Sequence, residues 1–559
     1  SMAPSGSGDG ARILANDQLE EARAKLQARC DADQQDIDAW LQLADISGQV
    51  GSYQIAERCA RHVLALHPNH LAATYLLALS LGHQDKNAEA IECYQKVLAV
   101  HPDFTEASIN LADLFLRDRQ PEHAELVCER ALTLQPDHPQ LLARLGSTLL
   151  CIGRPQEALA LLECASSRQP EDPLILGDLG VAYHRLGRYD DALEVITRAL
   201  SHDNNLAREH YNLGVVHSDL GNTAAAIRSY EAALLIDPTN NDAMCNLSHA
   251  ELAQGKFAQG WAHHIGRPSR VLPAPASSLR PGDLDGSRVL LMREQGLGDE
   301  LFFLRFAPQI RRRAAHLACI ASKKIAGILD RTGVVDQVVP ATESLDDYDH
   351  VYSVADAPLL VGMSSMQQIP PPVPLPLLES RVSAVDTMLA SVGPPPYIGV
   401  TWRAGTQPDT MAGSALPLRR ALDKRIPPEL LGMLLNAFRG TVLILQRNPD
   451  RKEIDAFESA LERKAHELSH LNEALEDMLI LLDRVNEYVC VSNTNVHLRV
   501  GRGKPARVLL PYPPDWRWLR IAEEAVWFPG CQTYPQKEDG NWTNSLSRLA
   551  SDLNLSGCR

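Results

Sequence analysis

The sequence predicts an α-solenoid of helical-hairpin repeats followed by a two-lobed, double Rossmann-like α/β half. Three observations carry this: residue lattices with a 34-residue period through the first half, a Pro/Ser-rich break after Trp261, and strand-turn-helix alternation from Arg288 onward.

Pro68, Pro102, Pro136, Pro170 and Pro238 lie on one lattice, with Asn204 at its vacant node. Ala22, Ala56, Ala90, Ala124, Ala158, Ala192 and Ala226 form a second, which Gly260 continues. Leu43, Leu77, Leu111, Leu145, Leu179, Leu213 and Leu247 form a third. Two helices per repeat cross closely only where a small residue stands, and proline ends the second helix before the next repeat starts. Tyr211-Asn212-Leu213-Gly214 and Gly187-Arg188-Tyr189-Asp190-Asp191-Ala192 resemble the consensus of the tetratricopeptide repeat (TPR). Residues 16–267 therefore read as a TPR superhelix, with residues 16–33 as a capping helix and residues 1–15 as a cloning remnant and flexible tail.

At 559 residues the chain exceeds what one hydrophobic core serves. Its 45% hydrophobic and 22% charged content is that of a globular protein, and a net charge of -16 argues against a general nucleic-acid binder. The eleven cysteines are scattered, odd in number and without a C-x-x-C pair. They read as reduced thiols of a cytoplasmic protein, with no disulfide framework or zinc site. Neither a signal peptide's apolar core nor a run of ~18 apolar residues is found, so no membrane span is expected.

Just before the leucine lattice stand Gln42, Leu76, Asn110, Arg144, Asp178, Asn212 and Asn246. The repeats resemble those of eukaryotic O-GlcNAc transferase, whose concave face grips a peptide backbone with an asparagine ladder at this position. The resemblance implies Asn110, Asn212 and Asn246 as acceptor-binding residues and a protein or peptide as the partner. Read from the residues alone, they are polar groups on a solvated face.

Residues 268–285 read as a linker, 286–392 as a first Rossmann-like lobe and 393–559 as a second. Expected strands are 288–292, 316–321, 334–339 and 350–352, then 397–402, 441–446, 488–491 and 506–510. Helices are expected after Gly298 through Arg313, between the proline clusters at 370–376 and 394–396, and over 427–438 and 451–465. A fragment of residues 283–559 is expected to fold without the repeats, because it carries its own alternating elements.

Two such lobes across a cleft resemble the GT-B glycosyltransferases. Gln295-Gly296-Leu297-Gly298-Asp299-Glu300 resembles the first loop of bacterial heptosyltransferase-like enzymes. Val491-Ser492-Asn493-Thr494-Asn495-Val496-His497-Leu498, followed by Gly503-Lys504-Pro505, resembles their sugar-nucleotide loop, although Ser492-Asn493 replaces their Asp followed by Thr or Ser. Pro514-Asp515-Trp516-Arg517-Trp518 resembles a motif of TPR-fused bacterial members. The resemblance implies an inverting, metal-independent glycosyltransferase moving a sugar from a nucleotide-sugar donor, bound by the second lobe, to a protein or peptide on the acceptor side. The alternatives are a noncatalytic TPR adaptor with a degenerate transferase domain, and a transferase acting on a lipid-linked glycan.

Inverting transfer needs a base for the acceptor proton and donors for the departing diphosphate. Asp299 matches the family's base position; an aspartate there is also an ordinary helix cap. Gly298, Ser492, Asn493, Thr494, Asn495 and His497 are the expected donor-binding residues around a helix start whose N–H groups face phosphate. Arg403, at a strand end, and Lys424 are expected to reach the phosphates, and Gln446 the nucleotide base. Asp346, Asp347 and Asp349 resemble a metal-binding D-x-D but lie in an acidic loop and read as solvated; no metal is expected. Gly296–Gly298 lacks the lysine of a phosphate-binding loop and the third glycine of a dinucleotide fingerprint.

Overall fold

The structure, a computed structural model, describes residues 8–270, 279–294, 296–404 and 424–555, without the side chains of residues 8–17 and Pro281. Residues 271–278 of the expected linker, and Gln295, lie outside them. The chain forms two compact units, one ending at Asn204 and the other starting at Asn205.

The first unit holds α1 (Gly8–Ala32) and a series of hairpins: α2 (Ile37–Gln49) with α3 (Tyr53–Leu66), α4 (Leu71–Gly82) with α5 (Asn87–Val100), α6 (Thr105–Arg117) with α7 (Pro121–Leu134), α8 (Pro139–Ile152) with α9 (Pro155–Arg168), and α10 (Pro173–Arg185) with α11 (Tyr189–His202). The lattice alanines of α3, α5, α7, α9 and α11 are buried, each where its helix crosses its partner. A Cβ added at Gly180 of α10 would stand 2.4 Å from Ile196 Cγ1 of α11, so only glycine permits this approach. Helix α1 starts at Gly8, inside the stretch expected to be a flexible tail. Ala11, Leu14 and Ala15 are strong helix formers, and no glycine or proline interrupts them.

The second unit opens with two further hairpins, α12 (Ala207–Asp219) with α13 (Thr223–Ile236) and α14 (Asn241–Ala253) with the short α15 (Phe257–His263). A first lobe follows: β1 (Arg288–Met292), α16 (Leu297–Phe303), α17 (Ala307–Arg311), β2 (His316–Ile320), α18 (Ala326–Thr332), β3 (Gln337–Val339), β4 (His350–Ser353), α19 (Ala357–Leu360) and α20 (Glu379–Val392). Its strands pair in parallel in the order β3-β2-β1-β4. The second lobe comprises β5 (Tyr397–Thr401), α21 (Pro428–Leu435), β6 (Thr441–Ile444), α22 (Arg451–Leu461), β7 (His466–Glu467), α23 (Leu475–Arg484), β8 (Glu487–Val491), α24 (Thr494–Gly501), β9 (Arg507–Leu510), the hairpin β10 (Arg520–Ile521) and β11 (Glu524–Ala525), β12 (Gln532–Pro535) and α25 (Thr543–Asp552). Its parallel sheet runs β12-β9-β8-β5-β6-β7. Both lobes have near-continuous apolar strands such as Val289-Leu290-Leu291 and Val489-Cys490-Val491, as parallel sheets covered on both faces require.

All eight expected strands are present, whereas β7, β12 and the β10–β11 hairpin were not expected. The helix expected through Arg313 breaks into α16, a 3₁₀ turn and α17, because Pro308 lacks an N–H and stands at the start of α17. Helix α20, assigned to the first lobe, is ion-paired with α23 of the second through Arg381–Asp477 and Asp386–Arg484. Leu252, Phe257 and Trp261 of the last hairpin belong to the hydrophobic core of the lobes, and a fragment beginning at residue 283 would lack them. Among the described residues no helix is long and apolar enough to cross a membrane, and every described cysteine is a free thiol.

Candidate functional site

Strand β1 ends in a sharp turn at Gly296, whose φ of +100° favours glycine. Helix α16 starts there and carries Asp299 in its first turn. The Asp299 side chain is 40% exposed and accepts from Arg517 Nη2 at 2.7 Å. Arg517 Nη1 also donates to the Asp515 carboxylate at 3.2 and 3.3 Å, and Lys424 Nζ lies 2.8 Å from Asp515 Oδ2. A chain of alternating charge, Lys424–Asp515–Arg517–Asp299, thus runs from the second lobe to the first. Burial opposes ionisation of Asp515, but Lys424 and Arg517 outweigh it and hold its carboxyl well below the usual range. Burial likewise works against the Arg517 charge, and Asp299 and Asp515 overcome it.

Asp299 lines a cavity of about 310 Å³ with Cys245 and His249 of α14, Glu294, Phe303 and Arg517. Arg267 and Glu294 of its lining belong to a buried ion network, in which Arg267 pairs with both Glu294 and Asp356, and Arg270 with Asp356. The last repeat therefore supplies one side of the cavity, and the ends of β1 and β4 another. Such a cavity can seat a small polar group against a carboxylate.

The expected donor residues divide. His497 and Gly298 do meet: a Cβ on Gly298 would come within 3.2 Å of the His497 ring. Burial first, then Arg305, Arg517 and Lys424, holds His497 well below its ordinary value, so the ring is neutral among cations. The buried Arg305 donates to the Phe302 and Trp527 carbonyls, and burial lowers it to about 9. Asn493 is the N-cap of α24 and accepts from the Asn495 N–H at 2.8 Å. Ser492 and Thr494 flank it, half-buried, and Asn495 is buried with its amide on Asn472. Beside His497 and Arg305 the open space is about 10 Å³, room for no more than a water.

The other expected contact residues meet protein groups. Gln446 has no exposed surface, and its Oε1 accepts from the backbone N–H groups of Trp402 and Arg403, which ties the ends of β5 and β6 together instead of touching a base. Arg403 is committed to the Glu453 carboxylate at 2.6 and 2.9 Å and to the Asn448 carbonyl at 2.8 Å. With Arg425, Glu453 and Trp542 it lines a separate cavity of about 670 Å³. Asn212 is wholly buried. Asn110 and Asn246 are half-buried and donate to Tyr75 and Tyr211, each at 3.2 Å and 35 positions earlier, so these ladder residues brace neighbouring repeats. Asp346 and Asp347 are exposed, and Asp349 accepts from the Arg288 N–H. Among the described residues no group of three or more His, Cys, Asp or Glu could hold a metal ion.

Sequence reasoning quoted Asp515 and Arg517 without assigning them a role, because partners 218 positions apart leave no periodic signal. It also passed over Glu300, beside Asp299. Glu300 is 2% exposed and accepts from the Ser322 N–H at 2.9 Å; burial pushes its carboxyl from 4.5 up to about 7, against that hydrogen bond and Arg293. Between these two values the folded protein keeps a proton that the unfolded chain releases, so raising the pH through this window favours unfolding. Glu300→Gln retains the Ser322 contact and removes the proton linkage. It is expected to match the parent near pH 4.5 and to exceed its stability by about 1–3 kcal/mol at pH 8, measured by urea unfolding. Equal pH dependence in parent and variant would show that Glu300 does not titrate there.

Tetratricopeptide-repeat profiles match residues 153–213, residues 41–92 and 75–139, and residues 207–240. The chain is 24% identical over 383 residues to Protein FlbA of Caulobacter vibrioides, a match covering 62% of this chain and 61% of that protein, so it spans less than two thirds of the relative's length. Among solved structures it resembles the APC/C hetero-tetramer Cut9-Hcn1, at 17% identity over 48% of this chain and 54% of the other, with a TM-score of 0.39. It also resembles a tetratricopeptide repeat protein from Parabacteroides merdae, at 15% identity over 43% of this chain and 94% of the other, with a TM-score of 0.38. The N-terminal half of the chain is a helical solenoid of tetratricopeptide repeats.

Proposed function

We propose that this chain is an inverting glycosyltransferase that moves a sugar from a nucleotide sugar to a protein or peptide presented by its repeats. One observation carries the reading: a half-exposed carboxylate, Asp299, faces a cavity that α14 of the last repeat also lines. An acceptor group entering there meets a base. As it attacks the anomeric carbon, Asp299 takes its proton and the nucleoside diphosphate leaves. Lys424, with the N–H groups at the start of α24, supplies the positive side on which that diphosphate charge develops. No metal enters the scheme. In the present arrangement Gly298 lies against His497, so donor entry requires α16 and α24 to part.

The second reading is a TPR adaptor whose α/β half no longer transfers sugar. It is favoured by the same contact, and by Asn493, which caps α24 with its own side chain where a donor phosphate would otherwise bind. Thermal unfolding against a panel of UDP-, GDP-, CMP- and dTDP-sugars separates the two. At a ligand concentration of about 100 Kd, binding stabilises the folded protein by ~2.7 kcal/mol. A rise in Tm with one nucleotide series supports the transferase and names the base; no shift with any of them supports the adaptor.

A further inference from the structure

The loop between β9 and β10 reaches the last two repeats, Lys424 and Asp299. Tyr512 donates through its hydroxyl to the Leu220 carbonyl at 3.0 Å, at the turn between α12 and α13, where a Cβ on Gly221 would collide with that hydroxyl. Trp516 stacks on His249 of α14, ring centroids 6.4 Å apart, and meets Trp261 edge-on at 5.5 Å. Asp515 holds Lys424, and its Oδ1 accepts the Arg517 N–H at 3.0 Å, which sets the local turn. The Arg517 guanidinium lies 4.4 Å over the Trp516 ring and reaches the Asp299 carboxylate at 2.7 Å. It is the one described cation paired with Asp299.

We propose that Arg517 is a positioning residue: it aims the Asp299 carboxylate into the cavity, and its loop, strutted on the repeats by Tyr512 and Trp516, makes that aim depend on how the last two repeats sit. This rests on reading Asp299 as the base. A planar guanidinium stacked on an indole cannot rotate freely, so it passes any shift of Trp516 to the carboxylate it holds. A peptide settling against α12–α14 would thus reach the reacting centre through one loop. Arg517 itself need not contact either substrate.

Two measurements on the full chain decide this. In hydrogen exchange without ligand, Arg517→Gln is expected to speed exchange of the amides in Leu297–Phe303 by roughly ten- to hundredfold, the loss of a charge-assisted hydrogen bond. Arg517→Lys should restore part of the protection, and Tyr512→Phe should loosen the same segment while the strands of both sheets stay protected. Unchanged exchange at Leu297–Phe303 in Arg517→Gln overturns the proposal, and an unchanged Tyr512→Phe overturns its link to the repeats. Then, with the nucleotide sugar that the thermal panel selects and water as acceptor, Arg517→Gln should lower kcat about tenfold or more with KM within about twofold. Asp299→Asn/Arg517→Gln should be no slower than Asp299→Asn alone. A raised KM with kcat intact would instead place Arg517 on the donor and overturn the assignment. If no nucleotide sugar binds, the transferase reading fails, while the exchange result still decides whether Arg517 holds Asp299.

Discussion

Asp299→Asn is expected to reduce sugar transfer roughly 10²–10⁴-fold, the usual loss when a general base is removed, while the nucleotide sugar binds as before. The amide keeps the shape of the side chain and still offers Arg517 an acceptor oxygen at the position now 2.7 Å away. What it loses is the capacity to take a proton. Donor affinity should be spared, because Asp299 faces the cavity lined by Cys245 and His249 rather than the start of α24. Lys424→Ala is expected to behave oppositely, weakening the donor by removing a cation from the diphosphate side. Turnover of Asp299→Asn at the parental rate, with the donor found in the thermal panel, would leave the residue as a structural partner of Arg517 and not a base.

The largest effect on stability is expected where the repeats enter the α/β core. Trp261 is 1% exposed and meets Phe303, Trp516 and Trp527 edge-on at 6.1, 5.5 and 6.1 Å. Trp261→Ala should cost about 3–5 kcal/mol, since a cavity of indole size in a crowded aromatic cluster closes poorly. By the same reasoning a fragment of residues 205–559 should unfold cooperatively, whereas one of residues 283–559 should expose that cluster and bind a hydrophobic dye. Cooperative unfolding of the shorter fragment at the midpoint of the longer one would show that α15 is an accessory to this core.

Periodic features of this protein were legible in the sequence because they are repeated local decisions. A small residue every 34 positions specifies a helix crossing each time, so one reading of the lattice yields the hairpins of both units. Apolar runs bounded by turns located all eight expected strands for the same reason: burial on both faces of a parallel sheet leaves a continuous local mark. Short edge strands escaped, because β7 has two residues and β12 ends in proline, so neither carries a pattern long enough to read.

Of the site, the sequence determined which residue types stand at strand ends and helix starts: Asp299 after β1, Arg403 after β5, and Thr494 and His497 in α24. Only the tertiary structure decided what each one touches. Arg403 met Glu453 and Gln446 met two backbone amides, because a polar group buried at a strand end must be paired, and the nearest partners come from segments more than 40 positions away. Asn212 went inside for an equally nonlocal reason: burial of a ladder residue is set by what packs over it, which its 34-residue lattice does not encode. The Arg517–Asp299 pair closes a span of 218 residues, and no spacing rule reaches so far; it exists because folding brings the β9–β10 loop onto α16.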